Sequence, residues 1–545
     1  MKPNGAEATR IWKQYQNGVD WHNKNSMYSN TDTYYDMVQG DQWAGIESGD
    51  EKLSSHDFIS GVVEHKVAMV AMNAMTINFS SLNTGENQQV FQSVCEELNA
   101  YAASKWELTK MDTADWDIVN AACITGDAYL FFYNSNLDHQ IIDRTNIYFS
   151  DEQEQDIQKQ KRVIIYERRF VSAVKEDAKA NKIDEMEIES IVSDEDTNTL
   201  PKDAREEVSG EEKCSCLLCI EKRDGKIFIS RSTQTVVYQP ETEIVGLTKI
   251  PIAKMIWYPK RGSSRGIGEV KRLLNNQINS NKLLYRREES IKLSSFPKPV
   301  VNAEMVTNTE DAKKVGTLLK IKGLASKVSD AFGYVAPQAA TAEPANLQTE
   351  YITMSRDLAN AGDNATGNIN AEQASGAAII AVRDQQAIAT NKPQAYHKQF
   401  IEDIAAIWID TWTAYNPNGM TIEVDQDGVM QTVQIPAEVL AELKVNIRID
   451  VSPEQPYSKY AYQQKVDNIV NLPWFDDTER LQEYHDLLDD SDVVKGKLQD
   501  LIDKRNADMQ EQMQLEQAMA VIEQQKQTIA QLTGTPVTAE QGQVV

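Results

Sequence analysis

Ile256-Trp257-Tyr258-Pro259-Lys260-Arg261-Gly262-Ser263-Ser264-Arg265-Gly266-Ile267-Gly268 opens a stretch, continuing to Asn416, whose order of elements decides the fold. The basic, glycine-rich turn leads into a long helical run from Glu269 to about Leu293, and Phe296-Pro297-Lys298-Pro299 stops it, since two prolines in three residues cannot continue a helix. About fifty residues of short strand-like pieces follow, and then a second helical run, Asn346 to Asn360. That run ends in a polar loop, Gly362-Asp363-Asn364-Ala365-Thr366-Gly367-Asn368. Ser375-Gly376-Ala377-Ala378-Ile379 opens a third helix reaching Trp412, with Pro393 inside it and a kink expected near Asn391.

Working outward, residues 1–50 carry amphipathic helical pieces around Ile11, Trp12, Tyr15, Val19 and Trp21. Phe58 to Met75 has helical period, Thr76 to Phe79 reads as a short strand, and Asp112 to Thr125 reads as an apolar helix closed by Gly126. Strands follow at Ala128 to Tyr133 and Val163 to Phe170. Residues 171–213 change character, with Lys175 to Asn181 helical and then an acidic run through Asp184, Glu185, Glu187, Glu189, Asp194, Glu195 and Asp196. This reads as a solvated surface insertion, because like charges are normally exposed and the spacing of a calcium loop is missing. After Asn416, strands return at Thr421–Val424 and Val445–Val451. Ser458–Val470, Thr478–Leu488 and Val493–Lys504 read as helices, Asp508 to Leu532 carries a seam of Leu515, Met519, Ile522 and Ile529, and Thr533 to Val545 reads as disordered.

The order of these pieces resembles the portal proteins of tailed bacteriophages over roughly residues 30 to 490. The resemblance rests on the basic turn, the amide-rich helix around Asn275-Asn276-Gln277-Ile278-Asn279, and the Gly-Asn loop followed by Ser375-Gly376-Ala377-Ala378. Further matching pieces are Tyr34 to Trp43, Ala122 to Leu130, and Asn146-Ile147-Tyr148-Phe149 within Asp143 to Asp151. It implies an α+β, portal-type multidomain subunit with wing, stem helices, clip and crown, and a C-terminal helical tail. The wing or body would take residues 1–255, the turn and first stem helix 256–295, and the clip 296–345. The second stem helix, a channel loop at 361–374 and the kinked helix would fill 346–416, followed by body strands at 417–452, crown helices at 453–505 and the tail at 506–545.

The resemblance further implies a homo-oligomeric ring, of roughly twelve subunits, at one capsid vertex of a virion assembled in the host cytoplasm. Double-stranded DNA would pass through it without regard to sequence. Terminase large subunit, a head-tail adaptor, and major capsid and scaffolding proteins are the implied partners. No enzymatic activity and no cofactor are expected. In that family the Gly-Asn loop approaches DNA, which nominates Gly362, Asp363, Asn364, Thr366, Asn368 and Asn370; a plain surface loop is the bland alternative.

The residues themselves supply further candidates. Steps of ~100° per residue place Lys271, Lys282 and Arg286 within about 60° of one another on the first stem helix, so a solvated basic face, or one turned to acidic neighbours or to the lumen, both fit. Val270, Leu274, Leu284 and Ile291 make a separate thin seam, broken by Gln277 and Asn281, that suits a neighbouring helix in a ring. Arg261 and Arg265, left near the helix start, are expected to face a neighbour's acids or DNA phosphate. The clip has too few large apolar residues for a core of its own, and the resemblance implies strand pairing across subunits.

Composition bounds the alternatives. A formal charge of -27 argues against a protein that coats nucleic acid through a basic surface, and 41% hydrophobic residues can build real cores. No apolar run approaches the ~20 residues of a membrane span, and the N-terminus has no signal-like apolar segment, so a cytosol-like compartment is expected. Five cysteines are too few and too clustered for a disulfide framework, and Cys214, Cys216 and Cys219 lack a fourth ligand for zinc; they read as small hydrophobes in a buried hairpin turning at Arg223-Asp224-Gly225. The Arg261–Gly268 turn has neither P-loop nor dinucleotide glycine spacing. A phosphate- or nucleotide-binding enzyme built on that turn, or a coiled-coil scaffold using Asp508 to Leu532, are the readings from other classes.

Overall fold

The computed structural model describes residues 4–44, 53–83, 88–195, 199–205, 212–295, 298–313, 318, 320–322, 331–335, 342–359, 390–426 and 429–453, with single positions at 519, 522 and 525. Met1–Ser452 forms one compact unit and Pro453–Val545 another. In the second, Met519, Ile522 and Gln525 are helical and exposed. The expected crown helices and nearly all of the tail lie outside the described residues.

The first unit begins with helices α1 (Asn4–Lys24), α2 (Met27–Gln39) and α3 (Ile59–Ala71), then strand β1 (Asn73–Ser81) and helices α4 (Gln88–Leu108) and α5 (Met111–Thr125). Glycine closes α5 as the sequence predicts: Gly126 stands at φ 114°, and its N–H donates to the Ala122 carbonyl at 2.8 Å. The next strands are β2 (Asp127–Phe132), β3 (His139–Ile142), β4 (Ile147–Phe149) and β5 (Arg162–Phe170), followed by α6 (Val171–Ala180) and α7 (Glu185–Glu189). Then come β6 (Lys213–Arg223), β7 (Lys226–Ser232), β8 (Val237–Glu243), β9 (Ile252–Ile256), β10 (Tyr258–Pro259) and β11 (Gly266–Ile267). The strands form a three-stranded sheet, ordered β3-β2-β9, and a five-stranded sheet, ordered β4-β5-β6-β7-β8.

Strand β2 is buried at every position because its alternate residues serve two cores. Ala128, Leu130 and Phe132 enter the main helical core, while Tyr129 and Phe131 face the core shared with the five-stranded sheet. Strand β6 behaves likewise. Cys214 and Cys216 pack beneath α6 and α7, Leu218 and Ile220 join Tyr129 and Phe131, and Leu217 and Cys219 on the opposite face meet Ile11 and Tyr15 of α1. All five cysteines are buried and free. Cys214, Cys216 and Cys219 are hydrophobes of a hairpin whose turn uses Asp224 at φ 50° and Gly225 at φ 79°, while Cys95 and Cys123 lie in α4 and α5.

The acidic insertion departs from the expectation of a merely solvated segment. Val171, Val174, Ala178, Ile188 and Ile191 bury a small core against Cys214, Cys216, Val236 and Tyr238, while Asp194 pairs with Arg168. Farther on, Leu200 enters the core of α1, Lys202 Nζ reaches Asp36 at 2.9 Å, and Arg205 reaches Asp32 at 2.7 Å. The helix read at Lys175 to Asn181 is there, as part of α6, but its Val171, Val174 and Ala178 face is buried and not solvated.

Helix α8 (Glu269–Ser295) leaves this body, and α9 (Glu343–Leu358) returns beside it. Asn276 near the start of α8 donates to the Ser355 hydroxyl near the end of α9 at 2.9 Å, so the two are antiparallel. Between them, β12 (Lys298–Val301) pairs antiparallel with β13 (Phe332–Val335) within the chain, leaving one edge of each strand unpaired among the described residues. The pairing expected across subunits therefore has an intrachain counterpart here. The described part of the third helix is α10 (Asn391–Tyr415), in which Pro393 occupies the first turn, where its missing N–H breaks no intrahelical bond. Of the expected helix, residues 375–389 lie outside the described residues, and Asn391, near which the kink was expected, is the first residue of α10. The helical spacing of Tyr396, Phe400, Ile404, Ile407, Trp408 and Trp412 reads as a face buried in the body; the last five are buried and Tyr396 is half-buried. Strands β14 (Met420–Gln426) and β15 (Val429–Ile435), helix α11 (Ala437–Glu442) and strand β16 (Val445–Pro453) complete the unit, with β16 pairing with β1.

Candidate functional site at the junction of body and stem helix

The turn before α8 is held by backbone contact. A Cβ at Gly266 would overlap the backbone of Gly126, and one at Gly268 would overlap the Ile124 and Cys123 carbonyls, so these glycines serve close approach rather than anion binding. The Gly266 N–H is already taken by Asp127 Oδ1 at 2.9 Å, and Ser264 donates its N–H to the Glu152 carbonyl at 2.7 Å and its hydroxyl to Glu152 Oε2 at 2.9 Å. The turn thus satisfies its own donors with the chain's carboxylates, which removes the observation behind a phosphate-processing reading.

Arg265 corrects an expectation. It is 2% exposed, and its guanidinium donates to Glu152 at 2.8 and 2.9 Å, to the Ile147 carbonyl at 2.8 Å and to the Arg144 carbonyl at 3.0 Å. It therefore faces neither a neighbour nor DNA. The planar fork matches the carboxylate of Glu152 and two carbonyls at once, which an exposed position could not reward. Arg261, beside Gly262 at φ 67°, stays exposed at the tip.

Asp127, fully buried, completes the network: it accepts from Tyr129 Oη at 2.7 Å and pairs with Arg144 at 2.9 Å and Arg265 at 3.6 Å. Burial pushes its carboxyl up, but Arg144, Arg265, the Gly266 N–H and Tyr129 together hold it below the usual carboxylate value. Burial likewise opposes the charge of Arg265, and Glu152 and Tyr129 more than offset it, so its pKa is raised. His22 accepts from Arg265 at 3.1 Å; burial first, then Arg265 and Arg144, lower its pKa well below the usual value.

The start of α8 has a second anchor. Glu269, 0% exposed in the first turn, accepts from Trp257 Nε1 at 3.2 Å and from Arg272 at 3.2 Å, a placement that also suits the positive end of the helix dipole. Lys66 of α3, itself buried, is lowered by desolvation and partly restored by Glu269.

Midway along α8, the seam differs from the sequence reading. The buried stripe is Val270, Leu273, Gln277, Ser280 and Asn281, whereas Ile291 is 51% exposed. Gln277 Nε2 donates to the His56 carbonyl at 2.7 Å and to Gln42 Oε1 at 2.9 Å, while its Oε1 accepts the Phe58 N–H at 3.2 Å. Asn281 accepts the His56 N–H at 3.2 Å and donates to Gln42 at 2.6 Å. The amides clamp a length of backbone that has no strand partner of its own, so they are the inward face and not a break in it.

Lys271, Lys282 and Arg286 are exposed on α8. Gly362, Asp363, Asn364, Thr366, Asn368 and Asn370 lie outside the described residues. Sequence reasoning missed His397, whose Nε2 lies 2.8 and 2.9 Å from the two carboxylate oxygens of Asp115 inside the body. Its signal was present: His397 falls at i-3 from Phe400 on the apolar face of α10, a position that demands a polar partner. Among the described residues, no group of three or more His, Cys, Asp or Glu is placed to hold a metal ion, and no helix is long and apolar enough to cross a membrane.

No curated protein sequence matches the chain. Two solved structures follow a similar course: the neck of an empty GTA particle computed with C6 symmetry (8% identity, 78% of this chain and 88% of that chain, TM-score 0.37) and the neck of a native GTA particle computed with C12 symmetry (7%, 78% and 90%, 0.34). The family model described as phage P22-like portal protein matches residues 102–544, more than half of the chain and inclusive of the anchored turn, α8, α9 and β14 to β16. By that match the chain belongs to the phage P22-like portal protein family.

Proposed function

We propose that this chain is the portal subunit of a phage-like particle: a ring of identical copies at one capsid vertex, through which double-stranded DNA enters during packaging and leaves during ejection. The family match over residues 102–544 carries the proposal. The antiparallel α8–α9 pair supports it, because it is a rigid projection rooted at one end in the buried Arg265, Asp127 and Glu269 contacts and bearing the β12–β13 piece at the other. Such a pair, repeated about an axis, makes a wall.

On this reading the exposed Lys271, Lys282 and Arg286 and the loop at 361–374 are the groups offered to DNA. Contact would be weak and independent of sequence, since phosphate is the shared feature of every duplex and the chain's formal charge of -27 repels it elsewhere. The force for packaging comes from a terminase large subunit docked at the clip, with a head-tail adaptor, capsid protein and scaffolding protein as the other partners, and the chain itself hydrolyses nothing. Particles assembled without this chain should contain no nuclease-protected genome. Normal DNA content in such particles would overturn the proposal.

A further inference from the structure

A pocket of about 60 Å³ lies between α2, the end of α5 and the turn that leads into α8. That is room for a few waters or one tetrahedral oxyanion. Its lining includes Arg144, Arg265, Lys260, Lys271 and Thr31 and not one acidic residue, in a chain with 82 Asp and Glu against 55 Lys and Arg. The two arginines are buried, and the two lysines are exposed at the rim.

Two donors in this lining are left over. Arg144 is 8% exposed; its terminal nitrogens serve the Thr125 carbonyl and Asp127, but its Nε has no hydrogen-bond partner. Thr31, 2% exposed, has a hydroxyl with no partner either. Leaving a guanidinium N–H and a hydroxyl buried and unpaired is costly, and such groups in a native protein point to an unseen water or ion. Asp127 and Glu152 pair with the two arginines, and among the described residues no ion pair is seen at Lys260 or Lys271.

We propose that this pocket binds a phosphate-sized oxyanion: Arg144 Nε and the Thr31 hydroxyl donate to its oxygens, and Lys260 and Lys271 close over it from the rim. Burial first, and then the same two arginines, lower the pKa of the neighbouring His22. An anion seated in it ties α2 to the turn that roots the stem helix, so occupancy stiffens the junction. The lining holds no carboxylate, cysteine or histidine to act as base or nucleophile, which makes this a binding site and not a reaction centre. The phosphate is either free inorganic phosphate or a phosphodiester of nucleic acid.

The test uses the full-length protein, titrated calorimetrically with inorganic phosphate at ionic strength held constant with sodium chloride. Wild type, the Lys260→Ala/Lys271→Ala double variant and Thr31→Val are compared. Saturable binding of one phosphate per chain is expected, weakened at least tenfold in the double variant and severalfold in Thr31→Val, with circular dichroism unchanged. Absence of saturable binding beyond the chloride control, or equal binding by the double variant, would overturn the proposal. A second arm titrates a short DNA duplex. Competition between duplex and phosphate, lost in the double variant, assigns the site to a backbone phosphate, and duplex binding indifferent to phosphate assigns it to the free ion.

Discussion

Replacing Arg265 by alanine removes a guanidinium that is 2% exposed and reaches Glu152 at 2.8 Å, Asp127 at 3.6 Å and the carbonyls of Ile147 and Arg144. Asp127 keeps Arg144, but Glu152, only 12% exposed, loses its cation and keeps the Ser264 hydroxyl, and two carbonyls lose a donor. Breaking one side of a buried pair costs about 3–5 kcal/mol, because the surviving charge stays desolvated. Against a typical total of about 5–15 kcal/mol, that is a large share. With a urea slope of roughly 2–3 kcal/mol per M, the midpoint should fall by on the order of 1–2 M. Tryptophan fluorescence during urea titration of the full chain reads it, since Trp257 is buried beside the junction. Arg265→Lys should recover only part of the loss, as one ammonium keeps the charge but not the fork. A loss below about 1 kcal/mol in the alanine variant, the range of an exposed ion pair, would refute the buried-anchor account.

Gln277→Leu keeps the bulk of the clamp but strands the Phe58 N–H and the His56 carbonyl, while Gln42 keeps Asn281. It should cost about 1–3 kcal/mol for each buried group left unpaired, read by the same titration; an unchanged midpoint would show that the clamp is not formed. Burial lowers the Lys254 pKa from 10.5 to about 8, so between those values the unfolded chain binds the extra proton and stability should rise with pH. Lys254→Met should remove that rise from the difference between variant and wild type across this window, and parallel curves would contradict it. Deleting Asp363 to Asn368 should leave rings intact while reducing nuclease-protected DNA, because Gly362 to Asn370 holds no large apolar residue except Ile369; intact packaging would shift attention to Lys271, Lys282 and Arg286. Removing residues 506–545 should leave rings intact by native mass spectrometry, and monomers would sink the view that stem and body make the ring.

The fold was legible wherever local chemistry and burial agree. The prolines after α8, the Gly126 stop of α5, the Asp224-Gly225 hairpin and the aromatic face of α10 each state their own conformation. What stayed hidden were polar groups used inside. Gln277 and Asn281 read as interruptions, and Arg265 as a cation facing outward, because a single sequence does not reveal which groups lie opposite; their partners at residues 42, 56, 58 and 152 are far away in the chain. The same limit concealed the apolar stripe of residues 171–191 beneath its acids, and the His397–Asp115 pair.

Imaging the purified full-length chain by negative-stain electron microscopy tests the central claim most directly. The account predicts closed rings of identical subunits with an axial hole wide enough for a DNA duplex. Uniform monomers, or filaments and bundles without a hole, under conditions where the chain is folded by circular dichroism, would contradict it.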